Sequence, residues 1–352
     1  MCRSTAEANA KANAPIPSLQ VFRGMAALAV VVHHALLSTQ AFVGTLPTPL
    51  AALLNMGYLG VDFFFVLSGF IIMHAHMDDV RTRAAWKRYA LKRLSRIYPA
   101  YLPIGLALIG LYALMPGLSA AGGEGGGRDI SLLSSVLLLP ADGSPALSVA
   151  WTLVHELMFY FVFLLFYVSW RWLALGLVGW VLLIVVSSLL YAPTGWVRYP
   201  LSMLNIEFVM GVGAAWTVRF RAASLGQGAK GLAFAGLVVS IGTVGLMMQH
   251  GAAWFHLLLA FGLTLIVIGF AVAEQSSAAR WPALLMLLGN ASYSIYLVHS
   301  PLLSLSQRFA VRLGLDWPGA MVFGVSCGVV AGLVYYRVVE RPSLRFFRRR
   351  WS

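Results

Sequence analysis

Apolar residues dominate this chain in recurring blocks of about twenty, not at the alternating or three-and-four spacing of a half-buried element. The blocks fall at 20–38, 57–76, 97–116, 151–170, 172–191, 201–218, 231–249, 254–273, 283–306 and 317–336. A helix rises about 1.5 Å per residue and the hydrocarbon core is about 30 Å thick, so each block crosses a bilayer as one helix. Helices satisfy their own backbone hydrogen bonds there, and an open sheet does not. The predicted fold is therefore all-α: a polytopic transmembrane helix bundle of about ten spans. The segment SLLSSVLLLP (131–140) is too short to cross and is expected to lie in the interface or re-enter. GGEGGG (122–127) reads as a flexible loop, because it lacks the lysine and flanking strand of a phosphate-binding loop.

Composition sharpens this picture. Sixty per cent of the 352 residues are hydrophobic, 11% are charged, and the mean hydropathy is +0.81. A soluble domain carries about 25% charged residues, so a soluble enzyme, a disordered chain and a coiled coil are excluded. The net charge of +13 would suggest nucleic acid in a soluble protein. Here its placement is a topology signal. With the N-terminus inside, 20 of the 25 Lys and Arg fall in inner segments: Arg3, Lys11, seven from Arg81 to Arg96, Arg171, Arg219, Arg221, Lys230, Arg280 and six from Arg337 to Arg350. The outer loops hold Arg128, Arg198, Arg308 and Arg312, and Arg23 lies inside the first span. This bias puts both termini in the cytoplasm. No nucleic-acid partner is expected; the bilayer is.

Residues 1–18 read as a disordered cytoplasmic tail, 19–342 as a single membrane domain and 343–352 as a basic cytoplasmic tail. Pro342 is expected to stop the last helix, and Glu340 to pair with an arginine close by in sequence. Gly324, Gly328 and Gly332 repeat every fourth residue and suit close helix packing. The two cysteines, Cys2 and Cys327, indicate neither a disulfide framework nor a metal site, so no metal is expected.

Ionisable groups inside spans are expensive and face the bundle interior or a water-filled cavity. Asp62, Glu156 and Glu207 are the acids well within the blocks; Arg23, His33, His34, His155, His256 and His299 are the basic groups. Asp62, Glu156, Glu207, His34 and His299 fall four to seven residues below the outer ends of five different spans. That places them in one layer roughly 6–10 Å deep, which suggests a single internal site. Arg23 and His34 are eleven residues apart, so they share a helix face about 16 Å apart, and His33 should point elsewhere. Ser292, Tyr296 and His299 form one stripe. Arg93 and Arg96 are neighbours near the cytoplasmic end of the third span, where two guanidiniums suit a phosphate-bearing ligand or a lipid headgroup.

These residues lie in a set of ordered strings: LQVFRGMAALAVVVHH (19–34), GYLGVDFFFVLSGFII (57–72), RLSRIYPAYL (93–102), WTLVHELMFY (151–160), SYSIYLVHSPLL (292–303) and VVERP (338–342). Together they resemble the acyltransferase-3 family of integral membrane acyltransferases, and within it the bacterial exopolysaccharide O-acetyltransferase branch. The family's basic-residue and histidine pair falls on Arg23 and His34, and its paired arginines on Arg93 and Arg96. Two further signatures bring Asp62, Ser68 and Gly69, and Trp151, Glu156 and Tyr160. His155 departs from the pattern, which has an uncharged polar residue beside the glutamate.

The resemblance implies a multi-pass protein of the bacterial inner membrane. It would move an acyl group, most often acetyl, from acyl-CoA to a carbohydrate hydroxyl of an exopolysaccharide, lipopolysaccharide or lipid-linked oligosaccharide. Acyl-CoA is then a donor substrate, and no permanently bound cofactor is implied. A histidine suits removal of the hydroxyl proton, which makes His34 the expected general base. Asp62 or Glu156 would orient it, and Arg23, Arg93 and Arg96 would hold CoA phosphates. Tyr160 and Tyr296 are the oxyanion candidates, and Ser68, His299 and Glu207 complete the expected substrate-binding set. A covalent acyl-histidine route and homo-oligomer formation stay open. The rival classes are a transporter or flippase for a lipid-linked sugar, and a non-catalytic subunit of a polysaccharide export complex.

Overall fold

A computed structural model describes residues 16–115, 129–250, 254–276 and 280–351. The glycine-rich stretch 122–127, Cys2 and most of the N-terminal tail lie outside them. Within the described residues the chain is almost entirely helical, and its β pairing is one isolated bridge, Ile130 to Ser144.

Long helices occupy every predicted block. Helix α1 is Pro17–Phe42; α2, Thr48–Asn55, passes through a 3-10 turn into α3, Gly60–His76. Then come α4, Arg83–Leu114; the short α5, Leu132–Leu137; α6, Trp151–Phe163, with its one-turn extension α7, Leu165–Val168; and α8, Trp170–Leu190. The remainder are α9, Leu204–Leu225; α10, Ala229–His250; α11, Phe255–Ser276; α12, Ala283–Arg312; α13, Trp317–Tyr335; and α14, Arg341–Trp351.

Among the described residues, eight segments are long and apolar enough to cross a membrane. One of them, Leu204–His250, has 47 residues. As a single rod it would reach about 70 Å, over twice the hydrocarbon thickness, and it is in fact α9 and α10 joined at Gly226–Gly228. Helix α12 falls short on hydropathy because Asn290, Ser292, Ser294 and His299 interrupt its apolar run. The most apolar span, α8, leaves Leu175, Leu182, Leu183 and Leu189 exposed, which suits a lipid-facing helix. The protein is a multi-pass, all-α membrane protein.

Helix α4 begins well before its apolar block, capped by the Thr82 side chain, which accepts from the Ala85 amide at 3.2 Å. Its 32 residues span about 48 Å, so its first turns, with Arg83, Lys87, Arg88 and Lys92 exposed, extend past the hydrocarbon core. The segment expected to re-enter or lie in the interface forms only α5, whose Ser134 and Ser135 are buried.

The chain packs as two compact units. One comprises Met1–Ala26, Leu59–Asp79 and Met203–Asn290. In it α3 and α9 run antiparallel in close contact: a Cβ added at Gly69 would lie 2.0 Å from the Phe208 carbonyl oxygen, and one at Gly211 2.0 Å from that of Val66. Helices α10 and α11 also approach closely, a Cβ added at Gly236 lying 2.5 Å from the Gly262 carbonyl oxygen.

The other unit comprises Ala27–Tyr58, Val80–Ser202 and Ala291–Ser352. Here the expected glycine face forms. Gly324, Gly328 and Gly332 of α13 meet Leu303, His299 and Ile295 of α12 in descending order, so these helices are antiparallel.

Pro342 does not end the chain's last helix, contrary to expectation. Between α13 and α14 one π-helical turn, Tyr336–Glu340, widens the backbone, and the Arg341 amide donates to the Tyr336 carbonyl five residues back. The wider turn makes room for the ring of Pro342, which has no amide to give to the turn before it.

Candidate functional site

Helix α1 carries His34 in a half-buried position. Its Nδ1 lies 2.9 Å from the Val30 carbonyl oxygen and 3.4 Å from His299 Nε2. A carbonyl oxygen can only accept, so His34 Nδ1 holds a hydrogen. The His299 Nδ1 donates in turn to the Ile295 carbonyl at 3.1 Å, so His299 Nε2 has a lone pair to receive a share of that hydrogen. This network assigns the tautomers. It leaves His34 Nε2 as the nitrogen with a lone pair to offer. The orienting contacts come from Val30 and His299, not from Glu156. His33 does not point elsewhere as expected: its ring sits edge-on to His34 with centroids 4.9 Å apart, and 5.7 Å from Tyr58. A rotation of about 100° still leaves neighbouring wide rings in edge contact.

In the same unit Glu156 accepts a short hydrogen bond from the Tyr160 hydroxyl, one turn on in α6. The Arg93 guanidinium lies over the Tyr89 and Tyr160 rings, and Tyr89 donates to the Tyr160 carbonyl at 3.2 Å. His155 packs between Trp151 and Tyr199, at 5.7 and 5.3 Å between ring centroids. The Tyr296 hydroxyl lies 2.9 Å from Thr152 Oγ1 and 3.2 Å from the Val149 carbonyl oxygen. Both tyrosines proposed from sequence as oxyanion donors thus have their hydroxyls engaged.

Arg96 shows a partner that sequence reasoning misplaced. Its Nη1 lies 2.8 Å from Glu340 Oε1, and Ser294 Oγ donates to Glu340 Oε2 at 2.6 Å. Glu340 is buried and pairs across 244 residues, not with an arginine close by in sequence, because the π-helical turn aims it inward. The pair takes one of the five N–H donors of Arg96, which stays partly exposed over the Tyr293 ring.

In the first unit, Asp62 Oδ1 lies 2.6 Å from His256 Nδ1. Glu207 is fully buried, and donor atoms of Asp62, Glu207 and His256 all lie within 4.8 Å of one another. His256 was visible in the sequence as a histidine inside a span but sits too near its helix end to stand out. Arg23 donates to Gln20 Oε1 at 3.2 Å, and Gln20 donates to Asn290 Oδ1 at 2.8 Å. Ser68 is half-buried on α3, about 120° around the helix from Asp62.

The acyltransferase-3 family profile, described as an acyltransferase domain, matches residues 16–337, nearly the whole of this arrangement. The chain belongs to the acyltransferase-3 family. It is 30% identical to the exopolysaccharide production protein ExoZ of Rhizobium meliloti (strain 1021), over 84% of this chain and 92% of that one. It is 26% identical to the acyltransferase MdmB of Streptomyces mycarofaciens, over 95% of this chain and 93% of that one. A third relative, protein 2 in the picA locus of Rhizobium radiobacter, is 32% identical over 40% of this chain and 76% of that one. No solved structure matches significantly. The protein is a membrane-embedded acyltransferase, and the transporter and non-catalytic readings fall with that assignment.

Proposed function

We propose that this acyltransferase moves an acetyl or similar acyl group from an acyl-CoA to a carbohydrate hydroxyl of an exopolysaccharide, lipopolysaccharide or lipid-linked oligosaccharide, in the bacterial inner membrane. The observation that carries the mechanism is the tautomer network at His34. With Nδ1 engaged by Val30 and His299, Nε2 takes the proton of the acceptor hydroxyl as its oxygen attacks the thioester carbonyl carbon. The new C–O bond forms, the C–S bond breaks, and the departing CoA thiolate recovers the proton from Nε2. His299 positions the imidazole. Arg93, stacked on Tyr160, and the uncommitted donors of Arg96 hold the CoA phosphates. The similarity to a protein named for exopolysaccharide production supports a glycan acceptor.

The test pairs two measurements. Purified protein with acetyl-labelled CoA should transfer label to an isolated surface glycan or its lipid-linked precursor. A strain lacking the protein should lose one acetyl mass increment from its surface polysaccharide. A purified, folded protein that hydrolyses or ignores acetyl-CoA, with an unaltered polysaccharide in the deletion strain, sinks the reading.

A further inference from the structure

The cluster Asp62, Glu207 and His256 is set apart by two buried carboxyl groups that meet one imidazole. It draws one side chain from each of α3, α9 and α11, all within one unit. Asp62 is 1% exposed and Glu207 0%. Neither carboxylate oxygen of Glu207 makes a hydrogen bond of ordinary geometry. Two carboxyl groups buried side by side repel if both are ionised, so the pair needs either a proton shared between Glu207 and Asp62 or a cation. The positions are imposed by the backbone: the close approaches at Gly69 and Gly211 clamp α3 against α9 and hold the two acids near each other.

We infer that these three residues form a site for a divalent transition-metal ion of the zinc class. The ligand chemistry fits: one imidazole nitrogen and two carboxylates are a borderline N/O set suited to Zn²⁺, and three protein ligands leave a fourth position for water. The charge fits, since a dication balances two carboxylates in a low-dielectric interior. Access fits too, because the His256 side chain is 23% exposed while its partners are sealed. Coordination through Nδ1 uses that atom's lone pair, so a hydrogen now lying in the Nδ1 to Asp62 contact moves to Nε2 or to solvent. The metal then joins three helices that are otherwise held by packing. This site is independent of the acyl-transfer reading.

The experiment uses full-length protein in detergent or nanodiscs, stripped with a chelator and titrated with Zn²⁺ alone, bound metal being counted by mass spectrometry. One Zn²⁺ per chain is expected. At a hundredfold excess over Kd, zinc should lower the unfolded population about a hundredfold. Glu207→Gln should weaken zinc binding by more than about 100-fold, beyond the loss from removing a supporting contact to a metal ligand. Stoichiometric zinc retained by Glu207→Gln would overturn the site, as binding elsewhere. No zinc uptake and no thermal shift in the wild type would overturn it too, leaving a proton-sharing contact. If Glu207→Gln fails to fold, Co²⁺ loaded on the wild type decides: visible d–d bands of a tetrahedral N/O set support the site, and their absence defeats it. None of these readouts involves acyl transfer, so either proposal can fail alone.

Discussion

Around His34 and His299, ring hydrogens go to carbonyls one turn back in the same helix or to the facing imidazole, whereas around Glu207 two carboxylate oxygens are buried without an ordinary hydrogen bond. Both clusters consist of ionisable groups carried on apolar helices. The first is complete with neutral rings and keeps one nitrogen lone pair in reserve, which is what a proton acceptor needs. The second sets two buried carboxyl groups beside one imidazole, an arrangement that is settled either by a proton shared between the acids or by a bound cation. Burial alone therefore does not say what a polar group in a membrane is for; the accounting of donors and acceptors does.

The largest effect that could break this contrast lies at His34. His34→Ala should lower acyl transfer by about 10²–10⁴-fold, the usual range for a general base, while the protein still inserts and binds acyl-CoA. His33→Ala, which removes only the edge-on neighbour, should retain most activity; the reverse ranking would falsify the assignment of the base.

A smaller effect is expected at a polar contact fully satisfied by charge, the Arg96–Glu340 pair. Glu340→Gln leaves a partly buried guanidinium unpaired and should destabilise the fold by about 2–4 kcal/mol, less than a fully buried pair because Arg96 is 29% exposed. Thermal unfolding in detergent measures it, and an unchanged midpoint would show that the pair contributes nothing net.

The smallest change tests the scaffold beneath the acidic cluster. Gly211→Ala would push a methyl against the Val66 carbonyl oxygen and should cost about 1–3 kcal/mol, whereas Gly213→Ala, with nothing within 4 Å, should be neutral or slightly stabilising. Equal midpoints for the two variants would mean that α3 and α9 are not held as closely as described.

The spans were legible in the sequence because hydropathy sums over about twenty residues and tolerates an error at either end. The position of each polar residue along its own helix was legible too, since counting residues from a helix end gives distance along the axis. The partner of each residue was not. It depends on how each helix is rotated about its own axis, which composition does not record. Four of the five groups that counting put at one depth take partners that counting did not supply: His299 and His34 each other, His256 for Asp62 and Tyr160 for Glu156. Glu340 was misjudged for a related reason. One extra residue in a turn redirects a side chain across the bundle and leaves the hydropathy profile unaltered. The family strings named His34, Arg93 and Arg96 together, but the ion pair that occupies part of Arg96 appears only in three dimensions.

That widened turn at Tyr336–Glu340 also sets the bearing of everything beyond it. A helix keeps its phase by counting, at about 100° per residue, so the compass direction of the arginine-rich ridge on Arg341–Trp351 is fixed by the same surplus residue that steers Glu340. Removing a single valine, Val338 or Val339, would leave charge and greasiness all but unaltered and would take that surplus residue out, closing the turn to the ordinary α pattern.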